Sequence, residues 1–150
     1  MRIGIIAAAV VAVMASSSAI ANPGVEARQQ LMKSIVGNVK AIGGYVKGQN
    51  DEGPSNVGSR AASIAADAAR IGGAFGDQVH VENANGVKTT AAPAIWEKWG
   101  DFVKIAADLE GAAITLAGVA ASGDKAQIGA SFGAMTKTCG ACHKPFRIKK

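Results

Sequence analysis

The chain lacks the patterns that mark several large classes of protein. It has no internal repeat, no low-complexity tract and no convincing strand pattern. Its aromatics, one Tyr, two Trp and four Phe, are not interleaved with basic residues, which excludes nucleic acid as a natural partner. The one long apolar run, Ile3 to Met14, falls well short of the roughly 20 residues needed to cross a bilayer. No acid–base pair or nucleophile constellation suggests hydrolytic chemistry, and nothing else marks the chain as an enzyme. With two cysteines and two histidines in all, a four-ligand zinc centre would have to join Cys139, Cys142 and His143 to the distant His80, far from the usual paired spacing.

What is present begins with Met1-Arg2, the apolar run, and a small polar stretch closing on Ala19-Ile20-Ala21. This is the pattern of a cleavable secretory signal over residues 1–21, with cleavage after Ala21 and one domain over 22–150. Losing Arg2 takes the formal charge from +5 to +4. Five cations (Lys137, Lys144, Arg147, Lys149, Lys150) fall in the last 14 residues, a patch able to steer acidic partners. In an oxidising compartment such as the periplasm, Cys139 and Cys142 would not stay idle thiols. They would become a disulfide, bind a metal or be consumed in thioether bonds.

Beyond the signal the apolar residues recur every three or four positions. Val25, Met32, Ile35, Val36, Val39, Ile42 and Val46 predict a long helix from Pro23 to Gly48, with Gly37, Gly43 and Gly44 inviting close packing or local irregularity. Pro54 opens a second helix ending on Gly72-Gly73, with a small-residue face suited to core or to a subunit interface. Residues 73–92 have no sustained period and form a long covering loop that contains His80. Pro93 starts a third helix carrying Ile95, Trp96, Trp99 and Phe102 on one face, ended by Ser122-Gly123-Asp124. The last helix buries Ile128, Phe132, Met135, Cys139, Cys142 and Phe146, with gaps of 4, 3, 4, 3 and 4. The expected fold is all-α, an antiparallel four-helix bundle.

The pentapeptide Cys139-Gly140-Ala141-Cys142-His143 carries the chemistry. Cys-x-x-Cys-His is the c-type haem attachment signal. At about 100° per residue its two cysteines and histidine share an arc of roughly 100°, so one haem edge can meet all three. The thiols add across the haem vinyl groups, and the imidazole supplies the proximal iron ligand. A redox disulfide instead favours a helix N-terminus, whose dipole lowers the thiol pKa, in a strand-containing domain. Here the motif sits near the end of a helix.

The pentapeptide near the C-terminus followed by Lys144-Pro145-Phe146-Arg147, Arg28-Gln29-Gln30-Leu31-Met32 in the first helix, and Pro93-Ala94-Ile95-Trp96 together resemble the class II cytochromes c, over residues 24–150. That family comprises cytochrome c′ and its low-spin relatives. The resemblance implies one covalent haem c with its iron, and places Met32 on the side of the iron opposite His143. Methionine there is a ligand in the low-spin relatives and one of several residues beside a vacant position in cytochrome c′. A thioether ligand favours Fe(II). The resemblance also implies that Arg28, one turn before Met32, meets a haem propionate; Arg147, one turn beyond His143, either neutralises the haem edge or stays solvated. Read from the residues alone, Met32 is a core filler and His80 a loop histidine. The expected function is periplasmic electron transfer with redox partner proteins, through His143 and Met32. The alternatives are a five-coordinate cytochrome c′ binding NO or CO, and a thiol-disulfide oxidoreductase. The family often forms homodimers through its first two helices, which the alanine-rich second helix permits.

Overall fold

The computed structural model describes residues 23–79 and 86–149, so the expected signal segment and His80 lie outside the described residues. Among the described residues six helices follow in order: α1 (Pro23–Lys47), α2 (Pro54–Ala69), α3 (Ile71–Ala74), α4 (Ala94–Glu97), α5 (Trp99–Ala120) and α6 (Lys125–Phe146). The four long ones make the bundle, α2 packing on α1 and α5, and α5 on α6. Their facing stripes close one core, in which Ile42, Ile64, Leu116, Ile128 and Met135 are fully buried. Each such side chain contributes about 1.5–3 kcal/mol by leaving water. Among the described residues no helix is long and apolar enough to cross a membrane.

Local chemistry fixes where the helices stop. α1 runs unbroken through Gly43 and Gly44 and ends where Gly48 takes φ +69°, letting Gln49 N–H donate to the Gly44 carbonyl at 2.8 Å. A side chain at Gly44 would collide with Asn50, whose amide folds back to the Ala41 carbonyl at 2.9 Å, so glycine here permits a side-chain cap. Pro54 occupies the first turn of α2, where its missing N–H costs nothing. Asp124 caps α6 by accepting from the N–H groups of Ala126 and Gln127.

These bonds hold the Asp124 carboxyl below the ordinary carboxylate range, the Gln127 side chain having the largest effect. A carboxyl depressed in the folded state stabilises above its unfolded pKa, and that stabilisation is lost as pH falls through the folded value. Asp124→Ala therefore lowers the thermal midpoint at neutral pH and leaves it closer to wild type in acid. Melting curves across pH check this; parallel curves at every pH would refute it.

Two helices expected to be continuous are broken. The second turns at Arg70 (φ −90°, ψ −9°), giving α2 and the short α3. The third turns at Lys98 (φ −124°, ψ 46°), giving α4 and α5. Either side of Lys98 the two tryptophans part company. Trp96 lies against the core and its indole N–H donates to the Phe75 carbonyl at 2.7 Å, whereas Trp99 is 38% exposed. The expectation that both share one buried face is thus corrected.

Candidate functional site

On α6 the predicted stripe is the observed one. Ile128, Met135 and Phe146 are buried, and Phe132, Cys139 and Cys142 pack against the same core while remaining partly open. The two cysteines are not joined to each other as a disulfide. Burial pushes the Cys139 thiol up, and pushes Cys142 up to about 11, with Cys139 adding to the effect. Both thiols are therefore uncharged at neutral pH, the reverse of what a disulfide oxidoreductase needs from its nucleophile. His143, next in the chain, reaches solvent. Desolvation first, and the charge of Arg147 second, lower its proton affinity below that of an ordinary histidine. The imidazole is neutral at pH 7 with a lone pair free for a metal.

Met32 on α1 is partly buried and packs against the cluster that also receives Cys139 and Cys142. One turn earlier Arg28 is 3% exposed, which removes the reading of a surface arginine. Its Nε donates to the Ala74 carbonyl at 2.7 Å and its Nη1 to the Val79 carbonyl at 2.6 Å, while Nη2 pairs with the Asp77 carboxylate. The guanidinium also lies over the Phe75 ring, 4.4 Å from its centroid, and near Trp96 at 5.6 Å. Three atoms of one side chain thus hold the segment 74–79 against α1.

The second half of the long loop is fastened to the other end of the site. Ala91 bridges antiparallel to Arg147; Ala92 N–H donates to the Phe146 carbonyl at 3.0 Å and Ile148 N–H to the Thr90 carbonyl at 2.8 Å. The Gln29 amide reaches the Lys88 carbonyl at 2.9 Å. Of the loop expected to cover something, residues 74–79 are therefore held to Arg28 and residues 88–92 to Gln29 and the end of the haem-motif helix. Neither Asp77 nor this pairing is visible in the sequence pattern. The available signal is indirect, since an arginine on a buried stripe needs a carboxylate and Asp77 is one of two in that loop. Arg147 is exposed and, with Thr90, Gly140, His143, Lys144, Ile148 and Lys149, lines an open cleft of about 570 Å³.

The donor set suits a c-type haem. Two neutral thiols at Cys-x-x-Cys spacing are left half covered on an apolar seam, a neutral imidazole follows them, and the neighbouring helix α1 carries the thioether of Met32 on its core side. Fold and pentapeptide together define a class of protein, the c-type haem proteins built on a helical bundle.

Comparison with known proteins narrows the class. The profile of the family described as Cytochrome C′ matches residues 24–147. Cytochrome c-556 of Agrobacterium tumefaciens (strain II Chrys) is 35% identical over 126 residues, covering 84% of this chain and 98% of that protein. Cytochrome c′ of Rhodospirillum rubrum is 35% identical over 124 residues, covering 82% and 80%. A solved cytochrome c′ with ligand-controlled dimer dissociation superposes with a TM-score of 0.76 at 30% identity, covering 84% of this chain and 95% of that one. The chain belongs to the cytochrome c′ family, the class II cytochromes c. Its cofactor is a covalently attached haem c with its iron.

Proposed function

We propose that the protein is an exported, periplasmic electron carrier, not an enzyme, whose haem is attached through Cys139 and Cys142 and whose iron is ligated by His143 and Met32. Haem c, when bound, supplies an iron that cycles between Fe(III) and Fe(II). The chain's own groups do the rest. The cysteines fix the cofactor, the neutral imidazole offers its lone pair, and the thioether biases the site toward the reduced state. The observation that carries the reading is the part-buried Met32 on the core side of α1, a helix that packs on α6. Six-coordinate iron with little rearrangement of its ligands suits electron transfer. Export follows from the residue 1–21 signal pattern, which delivers the thiols to an oxidising compartment.

A second reading is kept because relatives named cytochrome c′ match as closely as those named cytochrome c-556. In it Met32 stands beside a vacant position and the iron binds a small gas such as NO or CO. Pairing of two copies through α1 and α2 fits either reading; one solved relative has a dimer whose dissociation is ligand-controlled.

The absorption spectrum separates the two. The carrier shows a low-spin spectrum with a methionine-to-iron band in the oxidised protein, and Met32→Ala removes the band and yields high-spin iron open to CO. A high-spin spectrum in the wild type, unchanged in Met32→Ala, would refute Met32 ligation and favour gas binding.

A further inference from the structure

The buried guanidinium of Arg28 takes partners for all three of its nitrogens from one short segment, the carbonyls of Ala74 and Val79 and the carboxylate of Asp77. A haem propionate, the partner implied by the family resemblance, is not needed to satisfy it. The segment is shaped to present these groups. Gln78 takes a left-handed φ of +55°, uncommon for a residue with a side chain, and the Val79 N–H turns back to donate to Asp77 Oδ1 at 3.3 Å.

The far side of the segment is fastened to the rest of the bundle. The Phe75 carbonyl accepts from the Trp96 indole at 2.7 Å, and the Phe75 ring packs edge-on against the buried Phe102 of α5, with centroids 5.0 Å apart. Contacts thus run from α5 through Phe75 to Arg28, whose guanidinium lies over that ring, and so into the first half of α1. Met32 stands one turn after Arg28 on the same side of the helix. A methionine side chain has three rotatable bonds and specifies the place of its own sulfur poorly, so that place depends on where the α1 backbone is held. Leu31 and Ile35 hold this stretch by apolar burial, which is non-directional, whereas the bonds of Arg28 fix its rotation and height.

We infer that Asp77 is a positioning residue for the sixth ligand of the iron: by neutralising and orienting Arg28 it holds the α1 backbone where Met32 reaches the metal. The inference rests on the reading of Met32 as a ligand. Without the carboxylate, the guanidinium is a buried charge with no counter-charge, and it turns toward water or toward a propionate. The segment 74–79 is then released, the turn of α1 that carries Met32 loses its directed anchor, and the population moves toward iron with an open sixth position.

The test uses the haem-loaded full-length protein, with CO as the probe of an open sixth position. Wild type, Asp77→Asn, Asp77→Glu and Glu52→Gln are compared well below every melting midpoint. The methionine-to-iron band of the oxidised form and the rate of CO binding to the reduced form are measured for each. Glu52→Gln is the control, because it breaks the other buried-side ion pair, Glu52 with Arg60, beyond the opposite end of α1. Asp77→Asn is expected to keep its haem and proximal imidazole, to lose at least about half of the band, and to bind CO about fivefold faster or more. Asp77→Glu retains the charge and the band, and Glu52→Gln stays within about twofold of wild type in CO binding. A full band in Asp77→Asn means that Arg28 does not depend on Asp77 to place Met32, and overturns the positioning role. Equal loss in Glu52→Gln reduces the effect to general loosening and overturns it as well. A wild type with no band overturns the reading of Met32 as a ligand, and the role of Asp77 with it, an outcome visible before any variant is compared.

Discussion

Replacing both Cys139 and Cys142 by serine is expected to remove all haem from the denatured chain, so that the band seen by haem staining after denaturing electrophoresis disappears. Each single replacement leaves one thioether, and the stain persists at reduced yield. The expectation follows from the state of the two thiols. They lie on the core-facing seam of α6, one turn apart and partly buried, and burial raises the pKa of both. A pair held in that way is of little use as a redox couple and well suited to permanent alkylation. His143→Ala separates attachment from ligation: the haem stays on the chain, while the spectrum loses its proximal imidazole. Full haem staining in the double variant would show that the cofactor is not held at the pentapeptide.

The α6 stripe was legible because its period is a property of the helix itself. Gaps of 4, 3, 4, 3 and 4 place Ile128, Met135 and Phe146 on one face whatever that face meets, and the structure buries all three. The end of α1 was legible for a related reason, since Gly48 acts on main-chain groups within a few residues of itself. The breaks at Arg70 and Lys98 were not. The separation of Trp96 from Trp99 accompanies a hydrogen bond from the indole to Phe75, a contact between distant parts of the chain that no local pattern records. The fastening of residues 90–92 to the tail was hidden likewise, because a bridge this short has no alternation to reveal it. At the site, the residue types at Cys139, Cys142 and His143 announced their chemistry through spacing. The surroundings of Arg28 did not, because its partners are two carbonyls and one carboxylate from an aperiodic loop.

That arginine gives the largest stability effect to be expected outside the hydrophobic core. Arg28 is the one buried charged residue among the described residues, and desolvation alone lowers its pKa. The Asp77 carboxylate faces Nη2 and is a quarter exposed. Removing one partner of a fully buried ion pair costs about 3–5 kcal/mol, because the remaining charge is left uncompensated. Water reaches Asp77, and Arg28 keeps two carbonyls and the face of Phe75, so Asp77→Ala is expected to fall below that range, at about 2 kcal/mol. In a domain of this size that corresponds to a fall of roughly 6–10 °C in thermal midpoint. Arg28→Met should cost less than the loss of three contacts suggests, since it buries no unpaired charge, although it frees the carbonyls of Ala74 and Val79. The double variant should then be no less stable than Asp77→Ala alone, the signature of a coupled pair. Melting of the four haem-loaded proteins closes this cycle. Additive losses would mean that the two side chains act independently. A shift of less than 2 °C in Asp77→Ala would mean that the carbonyls alone hold Arg28, and with it the loop segment 74–79, one turn from Met32.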